Sequence, residues 1–201
     1  MTSGSIWKQM TFFLGNLFQQ LYNTVDSLIV GNFLGSSALA AVSSSGSLIF
    51  MLIGFLSGIS AGAGVIVARF FGAGDEKNLQ RAVHTTVAFG LVAGVLMTGV
   101  GVALSPQILR WMDTPESVMR ESVTYLQIYF AGSLGFVMYN VLVGILQAVG
   151  DSRHPLYYLI VSSVINLVLD LLFITGFHTG VGGAAVATVI SQIVSALLCF
   201  W

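Results

Sequence analysis

Charged residues are scarce in this sequence. Lysine, arginine, aspartate and glutamate together make up 7% of its 201 residues, whereas 56% are hydrophobic. A soluble domain carries about 25% charged residues, because charge keeps a water-facing surface solvated. The net charge of −1 also excludes the strongly basic surface that nucleic-acid binding requires. The composition therefore indicates an integral membrane protein with no nucleic-acid partner.

Cysteine and catalytic side chains are equally sparse. The single cysteine, Cys199, excludes a disulfide framework and a cysteine metal site. Lys8 is followed directly by a full-length apolar segment with no small-residue cleavage site, so we expect no cleaved signal peptide. The histidines, His84, His154 and His178, fall at predicted helix ends or loops, and no HExxH motif is present. We therefore expect neither an enzyme, such as an intramembrane protease, nor a cofactor.

Long uncharged stretches separate the few charges. A membrane-spanning helix needs about 20 apolar residues, and this rule predicts an all-α, polytopic membrane protein with six transmembrane helices. We expect the helices near residues 11–31, 44–68, 84–105, 122–147, 156–176 and 181–201. Short loops on the cytoplasmic side are enriched in lysine and arginine. A cytoplasmic N-terminus would place five basic residues inside and only Arg110 and Arg120 outside, so we predict that orientation.

Small residues and turn residues suggest how these helices pack and connect. Gly54, Gly58 and Gly62 recur every four residues, as do Gly90 and Gly94. Small residues at this spacing let membrane helices approach closely, so both stripes predict helix contacts. "GNFLGSSAL" and "SPQILRWMDTPESVMRE" are interpreted as loops, the second with room for a short surface helix.

The first predicted helix carries polar residues on one face. At about 100° per residue, they cover roughly a third of its circumference. They are Asn16, Gln19, Gln20, Asn23, Asp26 and Ser27. An ionised aspartate at the bilayer centre costs about 2.5–3.5 kcal/mol on insertion scales. This face is therefore predicted to line an interior or a cavity rather than lipid.

A second acidic position lies in the predicted fifth helix. Asn166 and Asp170 are four residues apart and share one helix face. Counted from the middle of each span, Asp26 and Asp170 reach a similar depth, and so does Thr188 in the sixth helix. No lysine or arginine lies at that depth, so the two carboxylates are expected to bind a proton or Na⁺. The structural alternative is a pair of hydrogen-bonding groups that only hold the bundle together.

Six segments along the whole chain resemble the multidrug and toxic compound extrusion (MATE) family. They are "QQLYNTVDSLIVG", "ALAAVSSSG", "ARFFGAGD", "YNVLVGILQAVGDSRHPLYY", "NLVLDLLFI" and "GGAAVATVISQ". The resemblance implies a twelve-helix transporter of two six-helix lobes, of which residues 1–201 would be the N-terminal lobe with the C-terminal lobe absent. It implies multi-pass placement in the cell membrane.

The resemblance also implies a function and a site. Organic cations or amphipathic drugs would be exported in exchange for Na⁺ or H⁺, with small-molecule drugs, the bilayer and the missing lobe as partners. The cation-binding residues it implies are Asp26, Asn166, Asp170 and Thr188, and the cavity or supporting residues are Gln20, Tyr22, Asn23 and Tyr139. The alternatives are a flippase for lipid-linked intermediates and a half-lobe that cannot transport alone. The absence of basic residues within the spans disfavours the flippase, which must hold phosphate groups.

Overall fold

The computed structural model describes residues 3–200, and all of their regular structure is helical. Side chains of residues 3–9, 11, 12, 15, 16, 19, 20, 22 and 23 lie outside the described part. The helices are α1 Ser3–Leu34, α2 Ser36–Gly72, α3 Glu76–Trp111, α4 Glu116–Ala131, α5 Ser133–Ala148, α6 Arg153–Leu171 and α7 Gly180–Cys199. A π-helical segment, Leu172–Gly176, continues α6 toward the turn before α7. The all-α prediction is confirmed.

Several of these helices have the length and composition of membrane spans. Within the described residues, α2, α3, α7 and the combined α6 and π-helical segment qualify singly. A fifth span forms if α4 and α5, bent by 52° at their junction, are counted together. The described apolar part of α1 is the shorter stretch Thr24–Leu34. The chain is thus a multi-pass membrane protein, and the first predicted span, 11–31, falls in α1.

The connections are shorter than the sequence suggests. Gly35 alone separates α1 from α2, and its positive φ of 89° is a conformation that glycine adopts without strain. "GNFLGSSAL" is therefore almost wholly helical, since its two serines and its alanine continue a helix once the turn is made.

Helix α3 also continues through a predicted loop. It contains Pro106, whose missing N–H leaves the Val102 carbonyl without its usual partner. The side-chain amide of Gln127 in α4 donates to that carbonyl at 3.4 Å. This contact between α3 and α4 helps α3 to extend to Trp111, so the predicted loop between them shrinks to the turn before Glu116.

The predicted single helix over 122–147 is two helices. α4 ends at Ala131 and α5 begins at Ser133, with Gly132 at the bend. The absence of a side chain at Gly132 lets Val189 of α7 pack against the bend, and Gly135 is similarly close to Ile193 of α7. Hydropathy does not register such a bend, because both sides of it are apolar.

The two glycine stripes behave differently. A Cβ atom at Gly94 would lie 2.6 Å from a methyl carbon of Leu134 in α5, so this stripe does mark a close helix contact. Around Gly54, Gly58 and Gly62, a Cβ atom would meet nothing within 4 Å. The prediction that these three glycines line a helix contact is wrong for the described residues. Helix α2 instead faces α5 through Gly64 and Ser60, on another side of the helix.

Candidate functional site

Two carboxyl groups meet where α1 packs against α6. Asp26 on α1 and Asp170 on α6 lie close enough to interact directly. Asp170 is completely buried and Asp26 is partly buried. The structure thus brings together the two acidic residues that the sequence places at one depth, and we call them the acid pair.

The amide of Asn166 and the hydroxyl of Thr188 lie about one helical turn from Asp170, toward the start of α6. Asn166, which is fully buried, donates from Nδ2 to Thr188 Oγ1 on α7 at 3.4 Å. The Thr188 hydroxyl in turn donates to the carbonyl of Ala184 at 3.0 Å within its own helix. The four residues predicted as the cation site therefore lie on three neighbouring helices, α1, α6 and α7.

The carboxylate oxygens of the acid pair lack donors. Asp26 Oδ1 and both carboxylate oxygens of Asp170 are buried without a hydrogen-bond partner among the described residues. A hydrogen bond between two carboxyl groups exists only when one of them carries a proton. With both ionised, like charges would face each other out of water, a costly arrangement that a proton or a cation relieves.

One residue of this site escapes sequence reasoning. Tyr125 of α4 is buried, and its ring lies close enough for its hydroxyl to interact electrostatically with both Asp26 and Asp170. Ser122 and Tyr129 are buried on the same side of α4. This spacing of three and four residues is the signal that could have revealed a polar face on α4.

A shallow cleft opens at the surface where α1 meets α2. It has a volume of about 370 Å³ and is lined by Thr24, Ser27, Leu28 and Leu39. At about 100° per residue, Asp26 points roughly 160° away from Thr24 and Leu28, so the cleft lies on the opposite side of α1 from the acid pair. The side chains of Gln20, Tyr22 and Asn23, predicted to support the cavity, fall outside the described part.

Tyr139, the remaining predicted cavity residue, lies elsewhere. It packs beside Cys199 at the end of α7. Cys199 is eleven residues beyond Thr188, or about 16 Å along the helix. The structure therefore does not bring Tyr139 to the acid pair.

Two acidic residues of the loops, Asp75 and Asp151, cap helices. Asp75 is the N-cap of α3, and hydrogen bonds from the side-chain and backbone N–H groups of Asn78 lower its pKa. Asp151 accepts hydrogen bonds from the backbone N–H groups of Arg153 and His154 at the start of α6. Partial burial acts to raise the pKa of Asp151, but these bonds and the His154 ring, 2.5 Å away, lower it overall.

The oxygen atoms of the site are ligands that suit small, hard cations. Carboxylate, amide and hydroxyl oxygens prefer such ions to soft transition metals. Among the described side chains, no three histidine, cysteine, aspartate or glutamate residues cluster around a possible metal position. A multi-pass helical bundle with acidic groups buried at a helix interface is typical of membrane transporters, where intramembrane carboxylates mark ion pathways.

Comparison with known proteins identifies the family. The sequence profile of the MatE family matches residues 12–172. The chain is 37% identical to the probable multidrug resistance protein YoeA of Bacillus subtilis, over 96% of this chain and 44% of that protein. It is 29% identical to the probable multidrug resistance protein NorM of Thermotoga maritima, over 90% of this chain and 40% of that protein. The chain belongs to the MatE family, a family of transporters and not of enzymes.

Solved structures show the same fold. An outward-facing multidrug resistance MATE family transporter matches with a TM-score of 0.90 at 28% identity, over 98% of this chain and 43% of that one. An inward-facing structure of such a transporter matches with a TM-score of 0.84 at 30% identity, over 90% and 41% of the two chains. The chain therefore spans less than half the length of the relatives that it matches.

Proposed function

We propose that this chain forms one lobe of an exporter that moves organic cations or amphipathic drugs out of the cell in exchange for Na⁺ or H⁺. The observation that carries the proposal is the acid pair, buried at the interface of α1 and α6 with three carboxylate oxygens unpartnered. Relatives with multidrug-resistance names support the drug cargo.

The acid pair supplies the coupling in this proposal. A ligand shifts a conformational equilibrium only through its differential affinity for the two states. In one state the incoming cation or proton neutralises the facing carboxylates. In the other state the pair carries negative charge and can attract a cationic drug. Entry of the small ion thus removes the negative charge that retains the drug.

The charge of the site favours a cationic cargo over a lipid-linked anionic one. The seven lysine and arginine residues of the chain all fall near predicted helix ends or loops, so no basic group faces the acid pair in the described spans. We also propose the cell membrane as the location, with the N-terminus cytoplasmic, on the positive-inside bias of these same residues.

Ethidium efflux tests the proposal. Cells expressing the gene that encodes this chain are loaded with ethidium, a fluorescent organic cation, and its loss is followed under imposed Na⁺ or pH gradients. We expect gradient-driven efflux that Asp26→Asn abolishes. Glu121→Gln serves as the matched control, because Glu121 is an exposed carboxylate of α4. Unchanged efflux and cation dependence in Asp26→Asn would overturn the mechanism.

A further inference from the structure

Polar side chains continue from the acid pair along the contact between α6 and α7. On α6, two serines lie within about 60° of Asn166 around the helix, and on α7 three polar residues lie within about 60° of Thr188. We call these five residues the polar column: Ser162, Ser163, Ser191, Gln192 and Ser195. All lie on the same side of Asn166 and Thr188, toward the start of α6 and the end of α7.

The two helices place these residues opposite one another. α6 and α7 are antiparallel and are held in register by the hydrogen bond between Asn166 and Thr188. Three residues back along α6 therefore correspond to three residues forward along α7, so that Ser163 lies level with Ser191. Both are buried, at 4% exposure, and Ser195 one turn further is 1% exposed.

The polar column is not satisfied by the protein alone. The serines at 162, 163 and 191 donate to carbonyls of their own helices and keep acceptor lone pairs free for further bonds. Ser195 Oγ and Gln192 Oε1 are buried and have no hydrogen-bond partner among the described residues. Buried polar groups in proteins are nearly always paired with protein or with ordered water. Two unpaired polar atoms in the polar column therefore point to bound water.

We propose that the polar column is a hydrated path along which a proton or small cation leaves the acid pair toward the membrane face where α7 ends. From Thr188 to Cys199 the path is about 16 Å long. It carries no lysine or arginine, because the sequence has none between Pro155 and Cys199. The direction of ion movement rests on the proposed function, whereas the hydration does not.

This path differs from the cleft beside α1. The cleft is lined by residues of α1 and α2, while the polar column runs between α6 and α7 on the other side of Asn166. In the alternative, the same serines only bring α6 and α7 close together in a dry contact.

Silver-ion accessibility of single cysteines tests the path. Cys199→Ala removes the only native thiol, and Ser191→Cys and Ser195→Cys then place near-isosteric thiols in the column. The control is Ala196→Cys, since Ala196 is buried at 6% exposure beside Ser195 but packs against Met138 and Leu142 of α5. Each variant in lipid nanodiscs is treated with Ag⁺, which is close to Na⁺ in size. Thiols that remain are counted with a maleimide after denaturation.

The expected result is blocking of Ser191→Cys and Ser195→Cys at least tenfold faster than Ala196→Cys. Equal rates at all three positions would overturn the proposal. Equally slow rates would mean that the column is dry, and equally fast rates would mean that Ag⁺ reaches the whole bundle. Circular dichroism verifies that each variant is folded. If one of the two column variants does not fold, the other still tests the proposal. The readout needs no transport, so loss of the proposed function would leave this result intact.

Discussion

Gly132→Ala is predicted to disturb both the fold and the ion site. Gly132 has φ −94° and ψ 5°, which alanine can also adopt, so the backbone conformation itself adds little strain. The new Cβ would lie 2.8 Å from Cβ of Val189 and nearer still to its methyl groups. Carbon atoms pack best at about 3.5–4.0 Å, so α7 must move away by about 1 Å. Overpacking of this kind typically costs about 1–3 kcal/mol.

The displacement reaches the site because Val189 follows Thr188. The Asn166–Thr188 hydrogen bond, at 3.4 Å, already exceeds the usual range of about 2.7–3.2 Å. A mostly sideways shift of α7 by about 1 Å would distort this already long bond, so cation affinity should fall together with stability. Unfolding in mixed SDS micelles, followed by circular dichroism, measures the stability change, and Na⁺ titration measures the affinity.

Two variants make this prediction refutable. In Gly99→Ala, a Cβ meets nothing within 4 Å, so stability should stay equal or rise by up to about 1 kcal/mol through helix propensity. Val189→Ala combined with Gly132→Ala removes the clashing methyl groups and should recover part of the loss. If Gly132→Ala is as stable as Gly99→Ala, or if the two substitutions at the bend are simply additive, the packing argument fails.

Two further predictions concern helix packing and capping. Gly94→Ala should be less stable than Gly58→Ala by about 1–3 kcal/mol in the same micelle assay, since only Gly94 faces a neighbour, with Leu134 Cα at 3.1 Å; equal stabilities would contradict this packing. Asp75→Ala should lower the melting temperature by loss of the hydrogen bonds to Asn78. Because folding lowers the pKa of Asp75 below the ordinary 3.8, its stabilisation is complete above that pH and disappears as the pH falls through the lowered pKa. A difference between wild type and variant that grows below pH 3.8 would refute this sign.

The sequence predicts the helical class and the acid pair well, because both depend on where charge is placed. Long uncharged runs can only be membrane spans, and Asp26 and Asp170 are too costly in lipid to face outward. Counting residues from the middle of each span was enough to put both carboxylates at one level. Their contact across α1 and α6 then needed only the expected packing of neighbouring helices.

Features that depend on close three-dimensional fit were missed. The bend at Gly132 arises from how α7 packs against it, and no periodicity records that contact. The loop predicted to begin at Ser105 is instead helical as far as Trp111, because Gln127 of another helix donates to the carbonyl that Pro106 leaves without a partner. The stripe of Gly54, Gly58 and Gly62 suggested a helix contact that the described residues do not make. The spacing of glycines alone does not show whether a neighbouring helix is present.

We propose that Asp26 and Asp170 hold one cation between them. Na⁺ binding to the purified protein, measured by calorimetry at neutral pH with choline as the reference cation, tests it most directly; where H⁺ is the ion, the proton uptake on acidification is counted instead. We expect that Asp26→Asn, Asp170→Asn and the double variant all lose the same single ion, while Glu121→Gln keeps it. Retention of binding by either single variant, with a further loss only in the double variant, would show two independent sites and rule out a shared cation.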